Sequence, residues 1–162
     1  MVASLSVRVY TGSSAGTESA VVTGIDFISA DNATNSLANR QANPITVNTN
    51  SYEKWLKLKV DTAPANGVTN FQVWGDGAVQ TSTTLVFTAA YVTGATPTAT
   101  TSTRANTTFT NFTSSNKAVW DSTSYTATNA TTKYIIFQLQ VAATSDPGNW
   151  TQETVNYSYD ET

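Results

Sequence analysis

The sequence predicts an all-β fold: a single β-sandwich, jelly-roll or immunoglobulin-like, with about 8–10 short strands and one long polar loop. Three observations point there. Charged residues make up only 12% of the chain, about half the ~25% of an ordinary globular domain. Threonine, serine and asparagine take their place, and β-branched threonine suits a pleated, half-wetted surface. Apolar residues recur at every second position in short runs, and glycine, proline, asparagine or aspartate closes nearly every run. With 162 residues, 40% of them apolar and 10% aromatic, the chain is long enough for one core, and residues 1–162 are expected to form one domain.

The elements follow in chain order. Leu5, Val7 and Val9 alternate with Ser6, Arg8 and Tyr10, a half-buried first strand. After the turn TGSSAGTES, the run SAVVTGIDFIS is a second β region. ADNATNSLANRQANP (30–44) is a polar loop with a weak helical turn near Ser36–Arg40, and ITVNT (45–49) is a short strand. In NSYEKWLKLKV (50–60) a helix would scatter the apolar groups around its cylinder. A strand puts Tyr52, Lys54, Leu56, Leu58 and Val60 on one face and Glu53, Trp55, Lys57 and Lys59 on the other, so it is expected to be a strand with the second set wet. FQVWGDGAVQ (71–80) reads as a hairpin turning on Asp76-Gly77.

TTLVFTAAYV (83–92) places Leu85, Phe87, Ala89 and Tyr91 on one face. Residues 93–116 then form a long threonine-rich loop or arm with one charge, Arg104, and two large apolar groups, Phe109 and Phe112. KAVWDS (117–122) is a short strand. KYIIFQLQVAA (133–143) is the main core strand, with Ile135, Phe137, Leu139 and Val141 facing one way. DPGN (146–149) is a turn, and Val155, Tyr157 and Tyr159 alternate along a last strand.

Charge and composition exclude several kinds of chemistry. A net charge of −3 without a basic cluster disfavours nucleic acid. No run of about 18 apolar residues predicts a membrane helix, and the alternating N-terminal stretch is not an export signal. Without cysteine or histidine there is no thiol, imidazole base or histidine-ligated metal. No cofactor and no metal is expected. The aspartates Asp26, Asp61, Asp76 and Asp146 sit at turns or strand ends, where backbone reasons account for them, so an enzyme is not expected. DFISADN (26–32) is too sparse in acids for a calcium loop. The N-x-S/T matches at Asn32, Asn106, Asn111, Asn129, Asn149 and Asn156 follow from a composition rich in those residues.

Candidates for partner contact remain. Trp55, Lys57 and Lys59 offer an amphipathic ring and two cations to an acidic surface, although lysines on a strand also serve simply to deter edge pairing. Phe109 and Phe112 need cover either from their own domain or from another subunit, and Arg104 of the same segment is a further candidate for partner contact. If the arm is a clamp for a neighbour, removing residues 96–115 leaves the rest folded.

Pro44, the run Ser51-Tyr52-Glu53-Lys54-Trp55-Leu56, the pair Asn70-Phe71 and the turn Trp74-Gly75-Asp76-Gly77 form a pattern within residues 43–77. That pattern resembles one found in virion structural proteins of tailed bacteriophages. The resemblance implies a capsid decoration, or cement, protein: a β-sandwich, often a homotrimer, that binds the major capsid protein and stabilises the assembled capsid. It would be made in the host cytoplasm and act on the capsid surface. The matched residues belong to the framework and carry no binding role with them. A tail or head-fibre adhesin for host glycans is the alternative, predicting a tryptophan laid open in a groove. A carboxylate-dependent glycan hydrolase is the third, predicting two converging acids, one with a raised pKa.

Overall fold

The computed structural model describes residues 2–77, 82–145 and 153–162. Nine antiparallel strands among them form two sheets. Six strands line up as β2 (Thr17–Val21), β1 (Ser4–Thr11), β3 (Lys54–Thr62), β8 (Tyr134–Val141), β5 (Thr83–Tyr91) and β6 (Thr107–Thr108). Three more line up as β7 (Ala118–Asp121), β4 (Val68–Gly75) and β9 (Val155–Glu161).

Both sheets feed one core, because their period-2 alternation aims an apolar row at the same space. Val9, Leu56, Leu58, Val60, Leu85, Phe87, Ile135, Phe137, Leu139 and Val141 come from the larger sheet. Val68, Phe71, Val73, Ala118 and Trp120 come from the smaller one. The inward row of β8 is the one expected from its alternation. On β5 the expected row breaks. Leu85, Phe87 and Ala89 face this core, but the ladder to β8 shifts between Thr88 and Tyr91 and Ala90 takes a positive φ of 56°. Such an irregularity re-aims the side chains beyond it, and Tyr91 packs on the opposite face of the sheet.

Several local expectations are corrected. The second β region ends at Val21, and the chain then runs without a ladder to a six-residue helix, α1 (Leu37–Ala42). Its N-cap is Ser36, whose Oγ accepts from the Asn39 amide at 3.1 Å, the usual service of serine to an orphan helix donor. ITVNT is a turn and not a strand: Thr49 N–H donates to the Thr46 carbonyl, and Asn48 has φ 61°. Of the hairpin expected at Asp76-Gly77, the described residues 71–75 belong to β4, which pairs with β7 and β9, while β5 lies in the other sheet. Residues 78–80 of that expected hairpin, the DPGN turn and Trp150 lie outside the described residues.

The arm at 93–116 is the largest departure from a free clamp. It lies on its own chain. Ser102, Ala105 and Phe109 are buried, and the arm contributes β6 and a 3-10 turn at Phe109–Asn111.

Candidate functional site

The outer face of the six-stranded sheet is where most of the sequence-predicted residues meet. The ladders set Tyr10 opposite Trp55, Trp55 opposite Ile136, Val86 opposite Gln138 and Tyr91 opposite Tyr134. These residues, Gln138 apart, form a second apolar cluster, separate from the main core, with Ala15 from the turn after β1 and Ala95 and Ala105 from the arm. Trp55 meets Tyr91 and Tyr134 edge-on, with centroids 5.4 and 5.1 Å apart, the arrangement that aromatic quadrupoles favour.

Trp55 and Glu53, expected on the wet side, are 0% and 1% exposed. The reason is the arm, which converts half of this face from surface into interior. Burying a carboxylate requires partners, and Glu53 has a full set. Arg104 donates to both of its oxygens, at 3.0 and 3.1 Å. Trp55 Nε1 donates at 3.0 Å, and the Ser102 hydroxyl donates as well. Ser102 Oγ in turn accepts from the amides of Arg104 and Ala105. Beside this node Gln138 spans the same gap. Its carbonyl accepts from Ser102 N–H at 2.9 Å, and its amide nitrogen donates to the carbonyls of Ser51, Thr98 and Thr100. The arm is thus pinned by a charge pair and an amide.

Where the arm begins, Gly94 passes close to the turn at Ser13–Ala15. A Cβ on Gly94 would stand 2.1 Å from the Ser14 carbonyl oxygen, and backbone gives way less readily than a side chain. Gly94→Ala is expected to lift the start of the arm and lower stability by about 1–3 kcal/mol, the range for overpacking, read from urea denaturation midpoints.

Beyond the arm the face stays partly open and becomes cationic. Lys57 Nζ sits 4.0 Å from the Tyr134 ring centroid and 5.4 Å from that of Tyr10, and burial lowers its pKa against the opposing pull of Glu18. Lys59 donates to Glu18 at 3.0 Å, and that bond holds the Glu18 carboxyl below its usual range. Arg8 lies 3.8 Å from Glu18 and 3.9 Å from Asp61. Arg8, Lys57 and Lys59 therefore gather on one face of a chain whose net charge is −3. Arg104 and Trp55 underlie the same face, but Trp55 serves it from beneath.

Phe109 and Phe112 are elsewhere. Phe109 is 0% exposed and packs on Phe87 and Phe137 with centroids 5.1 and 4.9 Å apart; Phe112 meets Phe87 at 5.1 Å. They pack against the main core between the sheets, Phe109 wholly buried and Phe112 still partly exposed.

Lys54, not singled out from the sequence, is 2% exposed. Its ammonium donates to the carbonyls of Asn32 and Ala30 at 2.9 and 3.4 Å, tying the 24–43 excursion to β3. Burial pushes its pKa down to about 8, with Asp31 and Asp26 pulling the other way. Against an unfolded value of ~10.4, the unfolded chain binds more protons between pH 8 and about 10, so this lysine makes stability rise with pH across that window. Denaturant titrations at pH 7 to 10 are expected to show the rise, and Lys54→Met to remove most of it. The smaller contribution of Lys57 has the same sign.

Two other acid groupings bear on chemistry. Asp121 is 0% exposed and accepts from the amides of Thr123 and Lys133 and from the Tyr125 hydroxyl. Burial raises its pKa, but those donors outweigh it and the carboxyl stays below its ordinary value. Glu153 differs: burial and then Asp76 push it up, only partly offset by the Gly77 and Asp76 amides. Those amides face the Glu153 carboxylate without meeting it in hydrogen-bond geometry. An open groove of about 420 Å³ beside β2 is lined by Ser19–Gly24 and Ala33–Asn35, with no titratable side chain. Among the described residues no three metal-ligating side chains cluster, and no helix is long and apolar enough to cross a membrane.

No protein-family model, curated protein or solved structure matches the chain.

Proposed function

We propose that this chain is a structural protein of a tailed-phage virion, a capsid decoration protein built as a two-layer β-sandwich. Its contact with the major capsid protein is made by the cationic and aromatic patch on the six-stranded sheet. The observation that carries the reading is the convergence of Arg8, Lys57 and Lys59, interleaved with Glu18 and Asp61, beside the partly exposed Tyr91 and over the buried rings of Tyr10 and Tyr134 on one sheet face of an otherwise acidic chain. Interface cores favour aromatic rings and arginine, and complementary charge steers the encounter. The pinned arm supports the same reading in a new way: it stiffens the face instead of reaching for the neighbour. A homotrimer is the proposed assembly.

The test is co-sedimentation of the purified chain with capsids assembled from the major capsid protein encoded in the same genome. Saturable occupancy that is lost in the double variant Lys57→Glu, Lys59→Glu is the expected result. Retention on isolated tails but not on capsids would refute the reading. One feature favours a second, hydrolytic reading: the Glu153 carboxyl oxygens are buried without a hydrogen-bond donor among the described residues, and burial and the charge of Asp76 push its pKa up. Release of reducing ends from a polysaccharide panel, abolished by Glu153→Gln, would replace the structural reading with that one.

A further inference from the structure

The outer face of the three-stranded sheet is chemically unlike the cationic patch. Phe71 and Val73 point inward, so Gln72 and Trp74 of β4 point outward. The ladders set Gln72 beside Val119 and Ser158, and Trp74 beside Asn156. Of the three tryptophans among the described residues, Trp55 and Trp120 are 0% and 3% exposed; only Trp74 reaches the surface. It is flanked by the amides of Gln72 and Asn156, the Ser158 hydroxyl and the exposed Val119.

Lys117 is a loose cover on this ring. Its ammonium stands 4.3 Å from the Trp74 centroid and 3.5 Å from Ser158 Oγ. It has no carboxylate within ion-pair distance among the described residues. An exposed cation–π contact is worth only about 0.5–1 kcal/mol, and a hydrogen bond at the distance limit adds little. A ligand that stacks on the indole displaces such a cover at small cost, and the lysine then becomes a donor at the rim of the site.

We propose that this face binds a neutral glycan, one pyranose ring stacking its C–H face on Trp74 while Gln72, Asn156, Ser158 and Lys117 meet its hydroxyls. A single flat aromatic with a few fixed polar groups around it suits a ligand the size of a sugar ring. A protein partner would want a cluster of apolar anchors at the centre, and among the described residues the ladder places one exposed aliphatic group, Val119, opposite Gln72 on this face. Neutrality follows from the two ends of the face. Asp76 lies two residues past Trp74 and accepts from Thr154 N–H. Asp160 lies two residues past Ser158 and accepts from Asn70 Nδ2. The two carboxylates, one at each end, outnumber the single Lys117 ammonium, so the face as a whole disfavours an acidic sugar polymer while accepting hydrogen bonds from neutral hydroxyls. This inference does not depend on the capsid reading, because it concerns the other sheet.

The test titrates the chain with cellohexaose, maltohexaose, a β-galactose oligomer and polygalacturonate, followed by tryptophan fluorescence and calorimetry. Saturable binding of at least one neutral oligomer, and weaker or no binding of polygalacturonate, is expected. Trp74→Ala should weaken that binding by about tenfold or more, equivalent to about 1.4 kcal/mol. Trp74→Phe, which keeps a ring and protects the fold, should retain part of it. Lys117→Ala should leave binding to the neutral oligomer measurable. Failure of every neutral oligomer to saturate up to about 10 mM, weaker than about 2.7 kcal/mol of binding, would overturn the proposal. So would equal affinity in wild type and Trp74→Ala, or a preference for polygalacturonate.

Discussion

Replacing Arg104 with alanine is expected to cost about 3–5 kcal/mol, the usual penalty for removing one partner of a buried ion pair. The carboxylate of Glu53 would keep Trp55 Nε1 and Ser102 Oγ but lose the one cation that touches it among the described residues. A value near the lower end is expected, since Arg104 retains 25% of its side-chain exposure and Glu53 none. The loss should appear in urea denaturation and be accompanied by release of the arm, visible as increased Trp55 solvation in fluorescence. Replacing both residues together, Glu53→Leu with Arg104→Leu, should restore much of the stability, because no buried charge is then left alone. A double-mutant cycle in which the two single changes simply add would mean that the pair does not couple.

Phe109→Ala carries the second large effect, about 3–5 kcal/mol for emptying a buried phenylalanine site. Phe87 and Phe137 would lose a ring that fits edge-on between them, and a neighbouring chain cannot supply it. Were Phe109 a contact for another subunit, the change would leave the isolated chain as stable as before and abolish assembly. Thermal or urea melts of the isolated chain separate the two outcomes. The same logic reverses the expectation for removing residues 96–115. That deletion strips Glu53 and Gln138 of partners and uncovers Trp55 and Phe137, so the remainder is expected to unfold.

How much of this was legible beforehand depends on whether the residues concerned speak for themselves. The rows Leu56-Leu58-Val60 and Ile135-Phe137-Leu139-Val141 did, because alternation in a strand is a local signal and both face the core as read. Tyr91 did not, because one irregularity at Ala90 changes its face and no residue type there announces it. ITVNT has strand-forming residues but lies where Asn48 at positive φ turns the chain.

The wet side expected for Glu53 and Trp55 was misread for a reason of the same kind on a larger scale. Glu53, Trp55 and Lys57 share a face, as expected, but whether a face is wet depends on what crosses it. The covering segment lies some fifty residues away in sequence, as with Arg104 to Glu53. Two signals for it were present. Glu53 stands immediately before the β3 run KWLKLKV, and Gln138 interrupts YIIFQL; a polar group placed against such a run demands a buried partner. Lys54 carried the same message, being a lysine on the row of Leu56 and Leu58. The convergence of Lys57 and Lys59 with Arg8 rests on a cross-strand register that composition does not reveal.

The arm's seating on the outer sheet face is decided by amide hydrogen exchange at Ser102, Arg104 and Ala105. Their N–H groups donate to Gln138 Oε1 and to Ser102 Oγ. If the buried node holds the arm as an integral layer, all three exchange as slowly as the central amides of β8, opening only with global unfolding. Exchange at the rate of a free loop, in a chain whose β8 remains protected, would show that the arm is not seated and that Glu53 lies open.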